Sequence, residues 1–173
     1  MVLTKPIGFG VTVTASKVGL AEEEDLQAVI KWMKTLNRTA SELAVEFGSH
    51  SGTDVTGFSL MGHSWEMIRG TDLGLRYAYD DIPFVPNYEK YMEMGMFSAG
   101  ANENYNFYID KVRFAEHIDE NHQMMLFDPQ TSGGLLLGIH PDRIDAFLEK
   151  AASVGQFARV IGEVVEREGI EVV

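Results

Sequence analysis

Between Glu22 and Phe47 apolar side chains return at Leu26, Val29, Ile30, Met33, Leu36, Ala40, Leu43, Ala44 and Phe47. That period predicts one amphipathic helix of about seven turns. Glu22, Glu23, Glu24 and Asp25 sit at its start, where carboxylates suit the positive end of a helix dipole, and Gly48 can close it. Before it, Val2, Leu3, Val11 and Val13 mixed with Thr4, Thr12 and Thr14 read as strand, bend, strand over Met1 to Lys17. Thr53 to Gly57 reads as a turn, with Thr56 as the N-cap of a helix through Phe58, Leu60, Met61, Trp65 and Ile68. Leu73, Leu75, Tyr77 and Tyr79 alternate as a strand does, and a short helix is predicted around Tyr88 to Met94 after Pro83 and Pro86.

Further along, Ser98 to Asn104 reads as a polar loop, followed by strand-like alternation at Tyr105, Phe107 and Ile109, and a helix is predicted near Glu116 to Phe127. Asp128 to Gly134 is dense in turn formers, and the apolar run Leu135 to Ile139 fits a central strand covered on both faces. Pro141 starts a last helix through Ile144, Phe147, Leu148 and Ala151, and strands are predicted around Val160 to Val165 and Ile170 to Val173. There is no internal repeat or linker, so residues 1–173 read as a single domain with helices packed on a sheet.

Composition narrows the chemistry. Twenty-six acidic against 14 basic residues give a net charge of -12, which repels nucleic acid and anionic membranes and makes a metal ion the natural escort of any phosphate-bearing partner. With no cysteine, the chain supplies no disulfide, thiolate metal site or thiol nucleophile. It lacks a long apolar run and a signal-like start, so the expectation is a soluble, cytoplasmic protein without nucleic-acid or membrane partners.

Few residues stand out as carriers of chemistry. Asp54, just before a capped helix, can hold a divalent cation beside a phosphate or simply brace a tight turn. The Asp128 to Gly134 loop has two glycines and two hydroxyl side chains, as an anion-cradling backbone would, but no Walker lysine and no helix after it, so a structural role fits equally. His50, His63, His117, His122 and His140 show no metal-ligand spacing and read as packing or surface residues. Met92, Met94, Met96, Met124 and Met125 read as core filler, and neither Ser59 nor Ser132 sits in a nucleophile elbow.

Thr53-Asp54-Val55-Thr56-Gly57-Phe58 with Gly62-His63, together with Asp128-Pro129-Gln130-Thr131-Ser132-Gly133-Gly134-Leu135-Leu136, closely resembles selenophosphate synthetase (selenide, water dikinase) in its C-terminal domain. Leu3 to Gly10 and Thr35 to Arg38 are also similar to that family, so the resemblance runs over nearly the whole chain. Wider relatives such as aminoimidazole ribonucleotide synthetase and thiamine monophosphate kinase share the architecture but not this pair of motifs. The resemblance implies an α+β fold, a three-layer α/β/α domain with a mixed sheet. It also implies an enzyme that makes selenophosphate from selenide, ATP and water, with AMP and phosphate as the other products.

In that family the N-terminal domain brings the catalytic Cys or selenocysteine, a catalytic Lys and most of the carboxylates for Mg2+ and ATP. That domain is expected to be absent here and to be the partner of this chain. Asp54 is then the one metal ligand the chain contributes, with no catalytic residue of its own and no assigned nucleotide contact. Full-length family members form homodimers, largely through their N-terminal domains, and the isolated chain is expected to be inactive. A non-catalytic binding or regulatory module that pairs with a separate N-terminal partner is the competing reading, and an unrelated, autonomous nucleotide-binding domain is the third. Two departures from the family pattern stand out: Ser59 where Gly is common, and Ser98 to Asn104, near the expected rim of the active site, in place of a Pro-Gly-Gly and Arg-Asn style loop.

Overall fold

A computed structural model describes residues 1–173. In chain order the elements are β1 (Val2–Leu3), α1 (Phe9–Lys17), α2 (Glu23–Lys34), α3 (Arg38–Glu46), β2 (Ser51–Asp54), α4 (Ser59–Ile68), β3 (Gly74–Tyr77), α5 (Tyr88–Glu93), α6 (Ala99–Tyr108), β4 (Val112–Phe114), α7 (Glu120–Met125), β5 (Leu135–Gly138), α8 (Ile144–Ser153), β6 (Arg159–Val160), β7 (Gly162–Val165) and β8 (Gly169–Val172). The strands form two four-stranded sheets. One runs β2-β5-β1-β6 and is antiparallel throughout. The other runs β4-β8-β3-β7 and is mixed, with β8 parallel to both β3 and β4 and β7 antiparallel to β3. The fold is α+β, as the resemblance implies.

Alternation along the strands sorts side chains into layers. Leu3, Val55 and Leu136 turn one way, into the main core, where they meet Leu60 and Met61 of α4 and Leu75, Tyr77, Ile170 and Val172 of the second sheet. Val2 and Leu137 turn the other way and pack under α3 and α8 against Leu43, Ala44, Phe147 and Ala151. The first sheet is thus covered on both faces, and β5, flanked by β2 and β1, is the central strand its apolar run predicts. No helix is long and apolar enough to cross a membrane.

Three sequence expectations are corrected. The strand reading of Gly8 to Lys17 fails because that stretch is α1, which buries Phe9, Val11, Thr12 and Ala15. β-branched residues tolerate a helix when tertiary contacts hold it, and here the loop after α7 caps its start. The single long helix is two, because Thr35 turns extended and Leu36, counted in the apolar stripe, is 77% exposed. The Ser98 to Asn104 loop and the strand after it are one helix, α6, with Ser98 as its N-cap accepting from the Ala101 N–H at 3.1 Å. Phe107, whose spacing mimics a strand, points outward from that helix.

Candidate functional site

Asp54 ends β2, an edge strand, paired with Leu135 of β5. Its side chain is exposed and makes no hydrogen bond or ion pair within the chain. Strand β2 and helix α3 flank an open groove of about 890 Å³, lined by Asp54 with Ser41, Val45, His50, Thr53 and Leu135. No third His, Asp or Glu gathers with Asp54 into a cluster able to hold a metal ion alone. A free carboxylate of this kind fits a hard oxygen-seeking cation such as Mg2+, but as one ligand among several supplied from elsewhere.

The turn after Asp54 leads into α4. Thr56 is not its N-cap: the cap position falls on Phe58, which makes no side-chain cap bond, and Thr56 instead pairs its Oγ1 with His63 Nε2 at 3.1 Å. Burial lowers the His63 pKa, against the opposing pull of the Asp54 and Glu66 carboxylates. Asn104 of α6 is buried and donates to Gly57 O at 2.9 Å and to Phe127 O at 3.1 Å. The segment expected at the site's rim therefore acts from beneath, fixing the turn that carries Asp54 and tying it to the chain end of α7.

The loop from Asp128 to Gly134 lies against that turn, with the Gln130 N–H donating to Thr56 O and the Val55 N–H to Gly134 O. Its first polar residues face inward. Gln130 Oε1 accepts from the N–H groups of Gly8 and Phe9, and Asp128 Oδ2 accepts from Gly10 N–H at 2.7 Å and from Gln130 Nε2. Together they satisfy the opening donors of α1, whose own cap residue is a glycine at φ 97°. For Asp128 and Gln130 the structural reading of the loop holds. Asp128 is fully buried, and burial pushes its carboxyl up to about 7, against the pull of the Gly10, Gln130 and Val11 donors.

The remaining histidines gather no site: His122 pairs with Asp119 at 2.7 Å, and His50 lies beside His140 with ring centres 6.3 Å apart. Of the methionines, Met92, Met124 and Met125 are buried, while Met94 is exposed. Two residues that the sequence does not mark as candidates reach this same loop. Lys5 is buried and donates to Ser132 O, and Asn37 donates to Gly133 O. Their only signal is their position inside the two shorter stretches similar to the family, Leu3 to Gly10 and Thr35 to Arg38.

A family profile described as "AIR synthase related protein, C-terminal domain" matches residues 1–173. The chain is 37% identical over 167 residues to a selenide, water dikinase of Clostridium botulinum, covering 96% of this chain and 48% of that protein. It spans about half the length of the curated relatives it matches. A thiamine-monophosphate kinase from Stenotrophomonas maltophilia K279a superposes with a TM-score of 0.65 at 15% identity, over 99% of this chain and 48% of that one. A structure described as "AaThiL complexed with AMPPCP and TMP" superposes with a TM-score of 0.61 at 12% identity, over 99% and 46%. At such low identity these two likenesses speak for the fold.

Proposed function

We propose, from the premise that the chain belongs to the AIR synthase related family as a C-terminal domain of that kind, that it serves as the C-terminal half of a selenide, water dikinase. Such an enzyme forms selenophosphate from selenide, ATP and water and releases AMP and phosphate. The observation that carries this reading is the free carboxylate of Asp54, held at the end of an edge strand inside the motif where the family keeps a metal ligand.

Magnesium, when bound, neutralises phosphate oxygens during phosphoryl transfer. This chain's part is to position charge. Asp54 offers one anionic oxygen ligand across a domain boundary, to a cation whose other ligands come from the N-terminal half. Asn104 holds Gly57, and the Thr56–His63 bond holds the turn, so the carboxylate stands on a fixed support.

Supplied with ATP, magnesium and selenide, this chain fused to the N-terminal half of a selenide, water dikinase should produce AMP, and the chain alone should produce none. AMP formed by the unfused chain, or none by a folded fusion, removes the reading.

A further inference from the structure

No backbone N–H of Thr131, Ser132, Gly133 or Gly134 donates a hydrogen bond within the chain, although Gly133 and Gly134 are buried. Buried N–H groups without an acceptor are rare, because each forfeits its hydration for nothing. The carbonyls of the same peptides are, by contrast, firmly held. Lys5 Nζ donates to Ser132 O at 2.7 Å and Asn37 Nδ2 to Gly133 O at 2.9 Å. The chain contains no cis peptide, and a trans peptide points its N–H away from its C=O. The free N–H of Gly133 therefore faces away from the ammonium, and that of Gly134 away from the Asn37 amide. A donor on the carbonyl side polarises the peptide and makes the opposite hydrogen a stronger donor.

Lys5 is more than a staple for one carbonyl. It is 2% exposed, makes a single hydrogen bond, and has no carboxylate within ion-pair distance, in a chain whose net charge is -12. A neutral side chain would satisfy Ser132 O equally well, whereas a buried ammonium carries a desolvation cost that an unpaired position does nothing to offset. Burial accordingly lowers its pKa. Ser132 itself is held at φ 55°, a left-handed conformation of the kind found where successive backbone N–H groups form an anion-binding nest.

We propose that the Thr131 to Gly134 loop, charged from behind by Lys5, binds the oxygens of a tetrahedral oxyanion of the phosphate class, next to the strand end that carries Asp54. This deepens the preceding reading, on which the choice of phosphate as probe rests. The site gives the domain a second contact with phosphoryl chemistry, made by backbone donors where Asp54 would act through a cation. The same chemistry is offered by free phosphate and by the phosphoryl group of a nucleotide monophosphate.

The test is an amide-resolved NMR titration of the chain with inorganic phosphate at constant ionic strength, with chloride as control and AMP as a second arm. Saturable shifts centred on the amides of Thr131 to Gly134 are expected at millimolar phosphate, and none with chloride. Lys5→Gln, which keeps a donor for Ser132 O but not the charge, should weaken binding about tenfold. Equal response to AMP identifies the phosphoryl monoester as a ligand, and response to phosphate alone identifies the free anion; either keeps the site. Unmoved amides in the wild-type chain, or equal affinity in a folded Lys5→Gln variant, overturn it, and if that variant does not fold the wild-type titration decides. Because the titration reads no turnover, its failure leaves the AMP assay standing, and failure of that assay leaves the phosphate loop standing.

Discussion

Asp54 and Asp128 belong to the two motifs that distinguish this chain, lie on neighbouring segments, and have opposite fates. Asp54 ends an edge strand with its carboxylate exposed and unpaired. Asp128 is sealed inside, where it closes the start of α1 together with Gln130, and one of its oxygens, Oδ1, still lacks a partner. The same residue type is thus free to bind at a strand end and committed to architecture in a loop. Motif membership does not separate the two roles. The direction of the side chain relative to the sheet does, and a test that treats the two carboxylates alike should divide them cleanly.

The largest effect is expected at Asp54. In the fusion with an N-terminal half, Asp54→Asn should lower turnover by roughly a hundredfold, the scale of losing one preorganised charge at a phosphoryl site. The thermal midpoint should stay within error of the wild type, because an exposed side chain without partners contributes little to stability. Raising the magnesium concentration should recover part of the rate, a response that a purely structural role would not give. A variant that turns over normally, or one that loses its fold, would break the contrast between the two aspartates.

At Asp128 the effect is on stability and depends on pH. Its carboxyl rises from 3.8 to about 7 on folding, with burial as the main cause. Between those values the folded chain keeps a proton that the unfolded chain has released. Stability from this group is therefore greatest in acid, falls as pH rises toward about 7, and is level beyond. At about 1.4 kcal/mol for each pH step between the two values, the fall is on the order of a few kcal/mol. Asp128→Asn keeps an acceptor for the Gly10 N–H and cannot ionise, so urea denaturation at mildly acidic and at neutral pH should show the variant gaining on the wild type as pH rises. Other carboxylates slope the opposite way, Glu171 through its Arg76 partner among them, so the difference between the two proteins is the quantity to read. A constant difference across the range would mean that Asp128 ionises as easily inside as in the unfolded chain.

Much of this arrangement is legible in the sequence, and the part that is not has a physical reason. The central strand at Leu135 and the helix after Thr56 follow from local composition, whereas Thr53 and Asp54, read as part of a turn, end the edge strand β2. Helix α1 does not, because its Val and Thr residues favour a strand and the donors at its start are satisfied by residues more than a hundred positions away, which no local pattern encodes. Helix α6 is hidden by Phe107, whose exposure breaks the link between apolar spacing and burial. Of the candidate site, Asp54 is visible in its motif, but Lys5 and Asn37 are not visible as individuals. A lone lysine after a strand and a lone asparagine between helices declare nothing until the fold brings both to successive carbonyls of one loop.

The smallest effect concerns how the two regions start their helices. Before α1 the left-handed position is filled by Gly8 at φ 97°, where the missing Cβ makes the conformation easy. At the start of α4 a comparable position, φ 68°, is filled by Ser59, a buried non-glycine residue. A left-handed conformation with a Cβ costs roughly 1 kcal/mol, and the only bond returned is a long one, from the Gly62 N–H to Ser59 Oγ at 3.5 Å. Ser59→Gly should therefore stabilise the chain by up to about 1 kcal/mol in urea denaturation, less the extra freedom glycine gives the unfolded chain. A variant less stable than the wild type would show that the serine hydroxyl holds the first turn of α4 more firmly than its length implies, and would make the two helix starts alike in relying on a side-chain oxygen.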